Sequence, residues 1–142
     1  MAEPVRVEIG DWTAMQSQAE PVRRAVFVEE QNVPAEIELD AFDPVSLHAL
    51  AFDRAGSVVG TGRLLPDGHI GRMAVLRPAR GTGVGSAVLA ALMQAARARG
   101  DREVLLSAQT HAIAFYARFG FVAEGEVYDD AGIPHRRMRR VF

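Results

Sequence analysis

The chain has 142 residues, 49% of them hydrophobic, and a formal net charge of −2, which suits one compact domain with its own core and offers no general attraction to nucleic acid. It has no cysteine, which excludes disulfides, thiolate-ligated zinc and a cysteine nucleophile. Its sixteen basic residues are all arginine, so a lysine Schiff base and a Walker-type phosphate loop are excluded as well.

Residues 5–10 alternate apolar and polar side chains and predict a first strand. Asp11 or Thr13 can cap a helix running toward Val28, and Pro21 predicts that it divides into two pieces. Residues 29–44 are acidic and irregular. The runs 47–52 and 58–65 flank the turn sequence Asp53-Arg54-Ala55-Gly56 and predict an antiparallel hairpin. A third strand follows over 70–76, and Pro78 ends its ladder. Residues 83–99 bring Val84, Val88, Ala91, Leu92 and Ala95 to one helical face, with Gly100 as the stop. Residues 104–106 predict a short strand buried on both faces, and 110–119 a helix with Ala112, Phe115 and Phe119 on one side. The runs 121–127 and 135–141 predict a final hairpin around Asp129-Asp130-Ala131-Gly132. The expected fold is α+β, with α/β-type three-layer packing: a mixed sheet of six or seven strands flanked by about four helices.

The turn Arg80-Gly81-Thr82-Gly83-Val84-Gly85 joins a predicted strand to a predicted helix. A helix N-terminus offers free N–H groups and partial positive charge to a phosphate. Glycine lets the backbone approach such a ligand, and arginine adds a donor that stays charged. A dinucleotide fingerprint needs GxGxxG, but the sixth position is Ser86 counted from Gly81 and Val88 counted from Gly83. The pattern [QR]xxGx[GA] is met by Arg80, Gly83 and Gly85; it resembles the pyrophosphate loop of the GNAT acetyltransferases. Residues 107–121, with Ala112, Phe115, Tyr116, Gly120 and Phe121, resemble that family's late segment, and the order of elements matches along nearly the whole chain. Phe27-Val28-Glu29-Glu30-Gln31, Asp40-Ala41-Phe42-Asp43 and Gly132-Ile133-Pro134-His135 with Met138 are similar to the ElaA-like branch.

The resemblance implies an N-acetyltransferase with acetyl-CoA as cosubstrate. Met73, Ala74 and Val75 would pair with the pantetheine amides. Arg80, Gly81, Thr82, Gly83, Val84, Gly85 and Ser86 would hold the pyrophosphate. Gln109, which stands where many members carry Asn, and Phe115, Tyr116 and Arg118 would lie near the thioester or along the cofactor. The family's mostly antiparallel sheet is implied too, splayed at the strand before the glycine turn.

Without a nucleophile of the usual kind, direct attack by a primary amine on the thioester is the simpler route. The ammonium, with a pKa of about 10.4 for a lysine-like amine, must lose a proton. The oxyanion needs a donor, assigned to a backbone N–H near Val75. Tyr116, a phenol protonated at neutral pH, is assigned to the departing thiolate. Candidate bases are Glu29, Glu30, His48 and His135, with Glu30 preferred. Glu29, Glu30, Glu36, Glu38, Asp40 and Asp43, with no arginine among them, would form an acidic rim drawing in a cationic acceptor. A different class remains open: a non-catalytic acyl-CoA-binding sensor or scaffold. The four histidines lack zinc spacing and no HExxH occurs, so no metal is expected. Arg136, Arg137, Arg139 and Arg140 make the last strand basic, which on an edge strand would oppose sheet-to-sheet pairing. No apolar run approaches the ~20 residues that span a bilayer, and no signal peptide is evident. A cytoplasmic protein is therefore expected, without membrane or nucleic-acid partners, and the resemblance allows a homodimer, since family members often dimerise.

Overall fold

The computed structural model describes residues 6–142; Val5, assigned to the first strand from the sequence, lies outside the described residues. Seven strands form one sheet: β1 (Arg6–Gly10), β2 (Leu47–Phe52), β3 (Val58–Leu64), β4 (His69–Val75), β5 (Glu103–Gln109), β6 (Val122–Asp130) and β7 (Ile133–Val141). Their order is β1-β2-β3-β4-β5-β7-β6, and every adjacent pair is antiparallel except β4–β5. The helices are α1 (Trp12–Arg23), α2 (Ala35–Glu38), α3 (Val84–Arg99) and α4 (Ile113–Ala117).

Alternation along β2 sets the layers. Ala49 and Ala51 join the core that holds Val88, Leu89 and Leu92 of α3. Leu50 and Phe52 turn to the other face and pack on Trp12, Met15 and Ala19 of α1. Full burial of a Leu such as Leu89 or Leu92 contributes about 1.5–3 kcal/mol. The basic strand β7 is not an edge: it lies between β5 and β6. Arg139 pairs with Glu103 and Glu124, and Arg140 donates to the Phe119 carbonyl, so these charges are spent inside the sheet.

Asp11, not Thr13, caps α1, its Oδ1 accepting from Ala14 N at 2.9 Å. The helix runs through Pro21 without dividing. The change comes later, where residues Arg24–Glu30 continue as a π-helix. Val22, Arg23 and Val26 stay buried across the junction, and the wider turn swings Phe27, Glu30 and Gln31 toward the sheet. The acidic segment is less irregular than expected, since it contains α2 and a 3₁₀ turn at Asp43–Val45.

Candidate active site

Strands β4 and β5 pair only at His69–Leu105 and Ile70–Leu106. Beyond Ile70 they part. Two features of β4 drive the split. Arg72 has a φ of 48°, and the register with β3 slips where Arg72 and Met73 stand opposite Gly62, as in a β-bulge, which bends the strand. Gly62 is required there, because a Cβ would lie 2.8 Å from both Leu92 and Val88. After the bulge, Leu76 N donates to the Val59 carbonyl at 2.9 Å. Neighbouring residues face opposite edges of a strand, so Val75 presents its amide and carbonyl to the open side. Its carbonyl there accepts from Arg80 Nε at 2.9 Å.

The open strand leads into a 3₁₀ turn, Arg77–Ala79, and then the glycine turn. Gly83 caps α3 with a φ of 90°, a left-handed conformation that other residues rarely hold. The first intrahelical bond runs from Ala87 N to Gly83 O, leaving the N–H groups of Val84, Gly85 and Ser86 without intrahelical acceptors. They line a hollow of about 360 Å³ with Arg80, Gly81, Phe115 and Arg118. Thr82 is not part of this lining; its hydroxyl donates back to the Ala79 carbonyl.

This hollow shares Val75 and Arg80 with a cleft of about 500 Å³ between β4 and β5. Met73 and Ala74 form one wall of the cleft, and Ser107 and Gln109 the other. Gln109 is fixed in place, donating to Gln31 Oε1 at 3.0 Å and meeting His111 Nε2 at 2.7 Å. Tyr116 enters from α4, edge-on to Phe115 and Phe121, with its hydroxyl 3.9 Å from Met73 Sδ. Burial pushes its phenol up to about 12.

Glu30 lines the cleft but is not free. Arg80 grips both its oxygens, each at 2.7 Å, and Arg77 lies 3.3 Å away. The hydrogen bonds from Arg80 hold its carboxyl below the usual range. The absence of arginine between 29 and 43 was misleading, because arginines from other elements converge on this segment. Arg23 of α1 pairs with Glu38 and Asp43, Arg63 of β3 with Asp40 and Asp43, and Arg72 of β4 with Glu38 and Asp40. Four of the six rim carboxylates are therefore neutralised locally; Glu29 and Glu36 are exposed.

The two candidate histidines part company. His48 is buried against Trp12 with Nε2 2.9 Å from the Asp43 carbonyl; desolvation lowers its pKa, and it does not line the cleft. His135 does line it. Three further features escaped sequence reading: the Glu30–Arg80 pair, the π-helical turn and the Arg72 bulge. Each depends on contacts across the fold, and only the acid excess of residues 29–43 hinted that basic partners were needed. No group of histidines and carboxylates among the described residues is arranged to hold a metal ion, and no helix there is long and apolar enough to cross a membrane.

The family model for the acetyltransferase (GNAT) domain matches residues 14–142. The uncharacterized N-acetyltransferase YjcF of Bacillus subtilis is 42% identical over 123 residues, covering 84% of this chain and 87% of that protein. Protein ElaA of Escherichia coli is 35% identical over 127 residues, covering 84% and 82%. Among solved structures, an acyl-CoA N-acyltransferase from Pseudomonas aeruginosa superposes with a TM-score of 0.86 at 34% identity, covering 97% of this chain and all of that one. The E. coli ElaA crystal structure superposes at 0.84 with 29% identity, covering 96% and 99%. A split sheet whose open strand runs into a phosphate-ready helix N-terminus, matched over nearly its full length by such relatives, makes this chain a member of the GNAT acetyltransferase family, built for a CoA-based acyl donor.

Proposed function

We propose that this single domain transfers an acetyl group from acetyl-CoA to a primary amine by direct attack, with no covalent enzyme intermediate. The observation that carries the reading is the continuity of the two hollows through Val75 and Arg80. A pyrophosphate seated on the amides of Val84, Gly85 and Ser86 sends its pantetheine arm along the open edge of Met73, Ala74 and Val75. That arm ends beside Tyr116 and Gln109, while Phe115 and Arg118 flank the outer part of the cofactor.

CoA supplies an activated thioester; the protein's residues orient it. The Val75 amide, facing the open side, donates to the carbonyl oxygen as charge develops there. The Tyr116 hydroxyl donates a hydrogen bond to the departing sulfur. Arg80 serves the pyrophosphate, and Glu30 acts chiefly through Arg80: a carboxylate bound at both oxygens is a poor base until that guanidinium is drawn away. Glu29, Glu36 and Asp130, rather than a six-carboxylate rim, are left to attract a cationic amine. The assigned setting is the cytoplasm.

The test is release of free CoA thiol from acetyl-CoA across a panel of polyamines, amino sugars, amino acids and peptide N-termini. Turnover with at least one amine is expected. Binding of acetyl-CoA without thiol release on any acceptor would instead support a non-catalytic acyl-CoA module.

A further inference from the structure

We propose that His135 is the general base that takes the proton from the acceptor ammonium, through its Nε2; this rests on the acetyl-transfer reading above. The support is geometric. His135 Nδ1 lies 2.7 Å from the Ile133 carbonyl. A carbonyl only accepts, so Nδ1 carries the hydrogen, and in the neutral ring Nε2 keeps its lone pair. Among the described residues, Arg63 Nε is the one fully buried side-chain nitrogen or oxygen without a partner. The unpartnered Nε2 of His135 is therefore not sealed in, although the residue as a whole is 9% exposed, and His135 lines the cleft that also holds Tyr116.

Position and orientation are both fixed. His135 stands opposite Gln109 of β5 and Tyr128 of β6 in the sheet, and the Tyr128 ring stacks on it at 6.1 Å. The other titratable groups of the cleft are committed or solvated. Glu30 is gripped by Arg80. Glu38 and Arg72 pair with each other, and Glu38 is bound to Arg23 as well. His111 is exposed and tied to Gln109, and Asp130 is exposed at the hairpin end. Arg136, next along β7, donates to the Gly125 carbonyl. His135 alone combines a fixed ring, an open lone pair and a sheltered place in the cleft.

The step balances. An ammonium loses two protons on becoming an amide. One goes to His135 Nε2 and on to solvent. The C–N bond then forms as the C–S bond breaks, and the second proton ends on the thiol sulfur, which Tyr116 hydrogen-bonds as it leaves.

His135→Asn keeps a donor placed to reach the Ile133 carbonyl and removes the base; His135→Gln is the second variant should the first not fold. For an alkylamine, kcat/KM at neutral pH is expected to fall at least about 100-fold, as for loss of a general base, and part is regained at high pH as the amine becomes neutral. Acetyl-CoA affinity by calorimetry stays within about twofold. For hydroxylamine, already neutral at pH 7, the variant keeps close to wild-type activity, which a merely structural role would not spare. In the variant, log kcat/KM for the alkylamine climbs with a slope of one up to the amine's own pKa, about 10.4, whereas in wild type it levels off at lower pH because the ammonium is the reacting form. Equal losses with both acceptors, or a variant with wild-type rate and slope, overturn the proposal. So does a wild-type profile with no enzyme limb, even if neither variant folds. An absence of acetyl-CoA binding or of any turnover in wild type would instead overturn the acetyl-transfer reading on which this one rests.

Discussion

The Tyr116 phenol, pushed up to about 12 by burial, is a far weaker acid than a thiol, whose reference pKa is about 8.5. Complete proton transfer to the thiolate would be uphill by about 5 kcal/mol at 1.36 kcal/mol per unit. On the proposed reading the hydroxyl therefore stabilises sulfur by a hydrogen bond and stays protonated. The protonated form is the useful one, and raising its pKa moves its loss upward in pH, so no limb from Tyr116 is expected in the rate profile below about pH 10. Tyr116→Phe should lower kcat about ten- to a hundred-fold, as for loss of a hydrogen bond to a charged group worth about 1.5–3 kcal/mol, with acetyl-CoA affinity nearly unchanged, measured by steady-state kinetics with calorimetry. The place of Tyr116 in the cleft was legible in the sequence because an aromatic pair before a Gly-Phe step is a local pattern. The engagement of Glu30 was not, because its partner Arg80 lies 50 positions away and nothing in either neighbourhood encodes the other.

At the scale of elements, the segment containing α2 is held to α1 and to the sheet by three arginines and three carboxylates. Arg72 in this set is also the bulge residue that opens β4, so the network braces the split strand as well as the cleft wall. Burial alone would raise Asp43, but hydrogen bonds from Arg23 and from the Asp40 amide outweigh it and hold the carboxyl below its usual range. Asp40 is lowered in the same way against its own desolvation, chiefly by Arg63. A carboxyl whose folded pKa lies below its unfolded value, about 3.9, stabilises the fold above that value and loses the contribution as pH falls through the folded pKa. Asp43→Asn leaves Arg23 and Arg63 undercompensated in a buried site. It should cost about 3–5 kcal/mol in urea unfolding at pH 7, with the gap to wild type narrowing below pH 4. Apart from α2, which lies in a segment read as irregular, periodicity located the strands and helices to within a few residues, because alternation and the 3.6-residue repeat are local. Pro21 misled because burial of Val22, Arg23 and Val26 keeps the helix together past it, and the change to π-helical turns comes only at Arg24.

Across the whole molecule, a seven-stranded sheet is opened in one place, and α3 begins at the mouth of that opening. The sequence carried this arrangement only through the glycine turn and the order of elements; the width of the split depends on the bulge at Arg72, which no pattern announces. The half-buried Gly85 in the first turn of α3 offers the most direct test. A Cβ on Gly85 would meet Phe115 at 3.7 Å and Val75 at 3.8 Å, ordinary contacts, and an acidic residue in a first helical turn is electrostatically favourable. Gly85→Asp should therefore keep or slightly raise the melting temperature while placing a negative charge at the proposed pyrophosphate site. At about 4 Å such a repulsion amounts to about 1–4 kcal/mol. Isothermal calorimetry of acetyl-CoA should accordingly show binding weakened by about one to three orders of magnitude in a folded Gly85→Asp protein; unchanged affinity would contradict a donor site at the N-terminus of α3.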